Sequence, residues 1–527
     1  MITNSKVNFV ALILLSLISF SWLLGGVLYP DMYGIPSLLL IILFIFTSND
    51  NLKYFLNFLH NNIFIYSKYI FILFFIISFL HLITSILRFF SFDYATWDVG
   101  VHSNMLYNFS NGEFYSSFLS SHFGFKVNSL ADHFALSIYP LGWLYILYPS
   151  TLWLVTAKSI FYLVCPIFFY GISKKIGLSQ KQSIIITIIL SLFWLCTYKP
   201  PLNGLHYEFQ PSSLALPFIF VSFYFLSSKK WIAFLVTMIF LLGFKEHLGL
   251  VWLGFGLYLM INDNKIVGLV LCAIGLFSIY SIMFQLMPYL RDYRPNWSLH
   301  IGPFDDLQKK LLYIFRIYAP FGFLHFIRWK FGIMTFPLVG ANLLFGSSKS
   351  SVYSMTTHYD DILSCMLFIS IILIFKEIYE KKYLYTFFSK WLLIIWLIIF
   401  FSDIHRSPIR YLSLRLPKKE HFILAEEIKY FDSKNRDKKY AVQGHLGTHF
   451  NRRGIEEFRQ YKFCGKQKDG KNLLNVDYIA LSGLVSHAWS INNFNLCLLE
   501  LSNLDNFERI DSFKQLIVYK NKQIPIL

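Results

Sequence analysis

Charge is scarce in this sequence, and acid is scarcer than base. Asp and Glu number 30 against 47 Lys and Arg, charged residues make up 15% of the chain, and hydrophobic residues make up 55%. With a mean hydropathy of +0.50, that balance excludes a single soluble core of ordinary size. Cysteine is also sparse, and its six copies include no CxxC and no zinc-ligand spacing, which excludes the common structural zinc modules and thioredoxin-like redox motifs. Cys165, Cys196, Cys272 and Cys365 sit inside apolar runs, where a thiol behaves as a small hydrophobe. The net charge of +17 would suit nucleic acid, but no basic stripe interleaves with aromatics at a spacing that tracks phosphates. There is no small-x-small cleavage pattern before Pro30, so the first apolar run is expected to be a retained span and not a signal peptide. No long-period repeat and no low-complexity linker is present.

What the chain does have is long apolar runs. "VNFVALILLSLISFSWLLGGVLY" (7–29), "YIFILFFIISFLHLITSIL" (69–87) and "IVGLVLCAIGLFSIYSIMFQLM" (266–287) reach the roughly 20 residues a membrane-crossing helix needs. Lys and Arg collect at Lys53 and Lys68, at Lys174, Lys175 and Lys181, at Lys229 and Lys230, at Lys265, at Arg328 and Lys330, and at Lys376, Lys381 and Lys382. Short basic loops stay cytoplasmic. Threading these clusters with the N-terminus inside gives about thirteen spans, with cores near 7–29, 34–47, 69–90, 151–172, 183–198, 210–226, 231–244, 248–262, 266–287, 311–327, 331–346, 360–376 and 386–402. The odd number places the C-terminal tail outside.

Two segments carry that parity. "LADHFALSIYPLGWLYILYP" (130–149) holds Asp132, His133 and two prolines and reads as re-entrant or interfacial. The run 231–260 would bury Lys245 and Glu246 if it crossed once, at about 2.5–3.5 kcal/mol for a mid-bilayer charge. Two short helices meeting at the outer surface are therefore expected. The first fold expectation is thus an all-α polytopic membrane domain over residues 1–402.

From residue 403 the apolar runs disappear, and "KNRDKK" and "GKQKDGK" read as solvated turns. "KYAVQG" and "VDYIALSG" read as strands, "KEHFILAEEIKYF" as a helix and "FKQLIVYKN" as a closing strand. Residues 403–527 are expected to form a small soluble α/β domain, extracytoplasmic on this topology. In an oxidising compartment Cys464 and Cys497 could pair there.

On this topology the non-basic polar residues fall almost entirely outside. They are Asp93, Asp98 and His102; Asp132 and His133; His206 and Glu208 in "LNGLHYEFQP"; Lys245, Glu246 and His247 in "FKEH"; Arg291, Asp292 and Arg294 in "YLRDYRP"; and His358, Tyr359, Asp360 and Asp361 in "THYDD". Any one cluster is what a wet helix end requires. Together, they recur within a residue or two of an apolar span, which suggests a shared site where carboxylates take protons and cations hold anions. Asp98 could act as a general base toward a hydroxyl, or cap the helix that "DVGVHSNMLYNF" predicts. Asp132 and His133 offer a second carboxylate and a partner, or again a cap. Glu246 beside Lys245 is costly to place idly in lipid, its structural alternative being an ion pair. Arg291 and Arg294 could fork onto a phosphate or face lipid headgroups. His206, Glu208, His358 and Asp361 could hold a divalent cation, though no spacing is metal-specific.

The order "WDVGVHSNM", "DHFALSIYPLGWLY", "LHYEFQPSSLALP", "FKEHLGLVWLGFGLYL" and "FPLVGANLLFGSSKSSVYSMTTHYDD" resembles a bacterial and archaeal family of predicted multi-pass membrane proteins of unknown function, domain of unknown function 2079. That family in turn resembles the GT-C glycosyltransferases, membrane enzymes that take a sugar from a polyprenyl-phosphate carrier. The resemblance implies a GT-C-like membrane domain at the cytoplasmic (inner) membrane. It implies a polyprenyl-phosphate-linked sugar donor with an acceptor left open, Asp98 as the base, and His133 as the match to a second loop motif. Lys245, Arg291 or Arg294 would then stabilise the phosphate, while His133 and Glu246 orient substrate or bind a cation; His102, Asp132, His206, Glu208 and His358 are further substrate-binding candidates. A transporter of a lipid-linked or small solute predicts instead ionisable groups at the midplane on broken helices, a reading open to "FKEH". A non-catalytic scaffold predicts outer acids that tolerate substitution.

Overall fold

The computed structural model describes residues 49–117, 119–120, 128–291, 301–355, 358–380, 416–450, 455–458, 476–488, 491–503, 505–510 and 512–522. The expected spans at 7–29, 34–47 and 386–402, and the 402/403 boundary, lie outside the described residues. Among the described residues four helices are long and apolar enough to cross a membrane: Ser67–Phe90, Leu152–Lys175, Lys265–Leu290 and Asp361–Glu380. Gln180–Cys196 with Lys199–His206 makes a fifth if that pair, bent by 48°, is one span. These coincide with the expected runs at 69–90, 151–172, 183–198, 266–287 and 360–376.

We label the helices that frame the site α1 (Asn49–Phe90), α2 (Val101–Ser110), α3 (Leu152–Lys175), α4 (Lys199–His206), α5 (Trp231–Leu242), α6 (Gly249–Asn262) and α7 (Asp361–Glu380). Asp361–Glu380 is the most buried of these four, with 83% of its apolar window buried against 28% for Ser67–Phe90, and α3, α4 and α6 pack against it. The run 231–260 is broken, as the charge argument requires: α5 ends at Leu242, Lys245 is extended, and a 3-10 turn at Glu246–Leu248 leads into α6. At 12 and 14 residues, α5 and α6 are each about 20 Å long. α6 packs along the helix that starts at Lys265, and Gly256 allows this, because a Cβ there would press on the Gly268 carbonyl at 2.8 Å.

Two expectations need revision. The run 311–327 is not one helix but Leu307–Tyr318, a 3-10 turn at Ala319–Phe321 and a short helix at Leu324–Ile327. Pro320 cannot continue a helix, and Gly322 and Phe323 are both left-handed (φ 59° and 55°). The run 331–346 is not one regular α-helix but a short helix Trp329–Gly332, a 3-10 turn Ile333–Thr335 and a nine-residue α-helix, Phe336–Leu344, in succession. The segment 130–149 forms two short 3-10 stretches and a six-residue helix, Gly142–Leu147, with Trp143 and Leu147 exposed.

The tail holds a five-stranded mixed sheet, with β1 Tyr440–Gln443, β2 Ile455–Phe458, β3 Tyr478–Leu481, β4 Phe507–Ile510 and β5 Ile517–Asn521 in the order β2-β1-β3-β5-β4. β2, β1 and β3 run parallel, and β5 is antiparallel to β3 and β4. Helix Lys419–Lys434 covers one face through Leu424, Ile428 and Phe431, while Ile491–Ser502 covers the other through Phe494, Cys497 and Leu501. Cys464 lies outside the described residues. The tail's first core also takes in Phe92, Val101, Leu119 and Ala131 from the loops that follow α1 and precede α3, so the sheet is docked on the region that carries Asp98.

Candidate functional site

Asp98 sits in a π-turn, Thr96–Gly100, directly before α2. The N-cap of α2 is Gly100, with no side-chain cap, so the Asp98 carboxylate is not used for capping. Its Oδ1 accepts from Gln210 Nε2 at 2.8 Å, and Gln210 Oε1 accepts from Lys245 Nζ at 2.9 Å. Lys245 Nζ lies 3.5 Å from His358 Nε2. One neutral amide thus holds a carboxylate and an ammonium a few ångströms apart, since its NH2 and carbonyl ends suit opposite charges. Burial pushes Asp98 above its ordinary range, opposed by Lys245, His133 and a hydrogen bond from Tyr207. Burial pulls Lys245 down, opposed by Glu246 and Asp98.

Glu246 and His133 form the flank. Glu246 Oε1 is 3.1 Å from His133 Nδ1 and Oε2 accepts from the Phe134 amide at 3.3 Å. Burial would raise Glu246, but His133 and Lys245 outweigh it and hold it below the usual carboxylate range. Asp132 follows the 3-10 turn Ser129–Ala131 and adds negative potential at Asp98 and Lys245. His102 is buried edge-on to Phe209, its Nδ1 without a hydrogen-bond partner among the described residues, and burial holds its pKa well down. The His358 ring packs tilted against that of Tyr207, centroids 5.0 Å apart.

A second polar cluster lies beside the His206–Glu208 segment at the end of α4. Lys158, fully buried within α3, donates to the Tyr207 carbonyl at 2.6 Å. Arg88 pairs with Asp93 at 2.6 Å, donates to the His206 carbonyl at 2.6 Å and lies over the Tyr94 ring. Glu208 Oε1 accepts from the Ala95 amide at 3.0 Å; Oε2 is buried with no hydrogen-bond partner in the described structure. Burial and the nearby Asp98 charge push Glu208 up to about 8, against the pull of the Ala95 amide, Arg88 and Lys158. Asp361, at the start of α7, meets the Tyr162 hydroxyl beside Gly204. Gly204 is required there, because a Cβ would collide with both. The His206 ring packs 5.3 Å from that of His81.

The structure therefore brings Asp98, Asp132, His133, Lys245, Glu246 and His358 to one place, sets His102 beside them, and leaves His206 and Glu208 on the boundary with the second cluster. Arg291 closes the short helix Met287–Arg291; Arg294 lies outside the described residues. Among the described residues no group of three or more His, Cys, Asp and Glu side chains is placed to hold a metal ion, and His206, Glu208, His358 and Asp361 form no such group. Sequence reasoning missed Gln210, Tyr207, Arg88 and Lys158. Lys158 carried a usable signal, a single charge inside "LWLVTAKSIFYLVC"; Gln210 carried none, being a neutral amide whose role depends on what faces it.

The family described as predicted membrane protein (DUF2079) matches residues 88–441, more than half of the chain. No curated protein matches it. Among solved structures the chain is similar to ArnT from Cupriavidus metallidurans, crystallised with undecaprenyl phosphate, at 11% identity and a TM-score of 0.42, covering 84% of this chain and 97% of that one.

Proposed function

The chain belongs to the DUF2079 family of predicted membrane proteins, and from that footing we propose that it transfers a sugar from a polyprenyl-phosphate donor to an acceptor at the outer face of the cytoplasmic membrane. The observation that carries this reading is the Asp98–Gln210–Lys245 chain: a carboxylate made more basic by burial, able to take a proton from an acceptor hydroxyl, beside a buried ammonium able to meet a phosphate leaving group. Glu246 and His133 orient the substrate, with Asp132, His102 and His358 lining the approach and Arg291 and Arg294 as further phosphate contacts. The topology that goes with it is a multi-pass membrane domain in residues 1–402, a cytoplasmic N-terminus, and residues 403–527 as an extracytoplasmic domain.

The test is transfer of labelled sugar from a polyprenyl-phosphate pool by membranes carrying wild type or Asp98→Asn at matched expression. Loss in the variant with donor binding retained supports Asp98 as base. No transfer by either protein from any donor in the pool rejects the proposal. A second reading, a transporter of a lipid-linked or small solute, is favoured by Lys158, wholly buried within a candidate span next to the bent pair ending at His206; flux of lipid-linked sugar in Lys158→Met vesicles tests it.

A further inference from the structure

The π-turn that carries Asp98 is held through its carboxylate by Gln210, and it also rests on the tail. The tail's Gly447–His449 turn, which follows β1, packs directly against Thr96–Gly100. Two of its residues, Thr448 and His449, are tied to the membrane domain by different chemistries. The Thr448 carbonyl accepts from Thr151 Oγ1 at 2.5 Å, and Thr151 Oγ1 is also 2.8 Å from Ser103 Oγ on α2, which in turn accepts from Tyr145. The His449 ring is sandwiched between Phe89 at 4.2 Å and Phe92 at 3.8 Å, both near-parallel, and its Nε2 is 3.1 Å from the Phe89 carbonyl. Phe92 is fully buried and left-handed, φ 57°, a conformation that a bulky residue keeps only where its surroundings impose it. Its surroundings are the tail: Phe92 belongs to the same core as Leu424, Tyr440, Leu446 and Phe450.

From these contacts we infer that the Gly447–His449 turn is a positioning element of the candidate site, with His449 as the positioning residue: docking of the tail fixes the exit of α1 at Phe92 and thereby the place of Asp98 opposite Gln210 and Lys245. His449 touches no reacting group and acts through Phe89, Phe92 and the turn. The inference takes Asp98 as the working carboxylate of the proposed transferase, but the geometry it predicts can be read without any activity.

The experiment is hydrogen–deuterium exchange by mass spectrometry on the full chain in nanodiscs, comparing wild type with His449→Ala, His449→Phe and Thr151→Val, the last on the membrane-domain side so that the tail sequence is untouched. Exchange over residues 96–104 is expected to rise about tenfold in His449→Ala. It should rise less in His449→Phe, which keeps the stacking, and measurably in Thr151→Val, while β1 and β3 keep their protection. If 96–104 exchanges as in wild type while only the tail or its contact with Phe89 loosens, His449 is an anchor for the tail and the inference fails. Unfolding of the tail in His449→Ala is recognised by lost protection in β1 and β3, and Thr151→Val then decides. In the transfer assay the positioning role lowers kcat with donor KM nearly unchanged; absence of any transfer rejects the transferase reading but leaves the exchange result standing.

Discussion

The two polar clusters that meet along His206–Glu208 are built on opposite principles. Around Asp98, charge is mediated: a neutral amide stands between carboxylate and ammonium, and the His133 edge of the group is partly open, its side chain 31% exposed. Around Lys158, charge is locked: Arg88 and Asp93 are in direct contact, both less than a tenth exposed, and carbonyls of the chain itself accept from Arg88 and Lys158. Buried pairs in direct contact resist rearrangement, because removing one member strands the other. Bridged charges can exchange the bridge for a substrate group at little cost. The first arrangement suits the working site proposed above, the second a frame that keeps the 206–208 segment in place.

That contrast can be broken in several ways, the most damaging first. Arg88→Met leaves Asp93 buried and unpaired, and should destabilise the folded protein by about 3–5 kcal/mol, read as a large fall in thermal midpoint in detergent. A small fall would mean that the second cluster is not a frame. Asp98→Asn should leave the midpoint nearly unchanged, since an amide still meets Gln210, while transfer drops by about 10²–10⁴. Lys245→Met removes one charged donor and should cost about 10²–10³ in transfer rate, with the midpoint kept or raised because a desolvated charge is gone.

Two milder tests use pH. Burial holds His449 down to about 3, so the unfolded chain takes up its proton first as pH falls. Docking of the tail should be fully stable above about 6.5 and weaken between there and 3, by at most about 1.4 kcal/mol per unit. Exchange over 96–104 followed from pH 7 to 5 checks the sign. Glu208 is displaced the other way, raised to about 8 from 4.5. The wild type therefore loses stability as pH rises through that window, and Glu208→Gln, which copies the neutral form, should not. Parallel melting curves for the two proteins across the window would show the theory wrong.

How much of this was readable beforehand depended on the range of the interaction concerned. Spans at 69–90, 151–172, 266–287 and 360–376 follow from the apolar run alone, and the break after α5 from the pair Lys245 and Glu246 set inside an apolar run. In the tail, β1, β3, β5 and the Lys419–Lys434 helix follow from local pattern. β2 and β4 escaped, being "IEEF" and "FERI", where charges interrupt the alternation and only pairing with β1 and β5 identifies strands. The run 311–327 was misjudged because hydropathy does not register a backbone turned left-handed at Gly322 and Phe323. At the site, Asp98, His133, Lys245 and Glu246 announce themselves by residue type and place. Gln210 and Tyr207 do not, because their parts are assigned by groups from about 35 to over 110 positions away.

The docking of His449 on the Phe89 carbonyl joins positions 360 residues apart, and that of Thr448 on Thr151 joins positions 297 apart. At ordinary rates of synthesis, about 5–20 residues per second, the Asp98 turn is made tens of seconds before the turn that seats it. During biogenesis the helices can insert and pack while the site stays unassembled. Maturation then arrives as a late event set by the ribosome, so that a truncated chain would be held in the membrane without becoming competent.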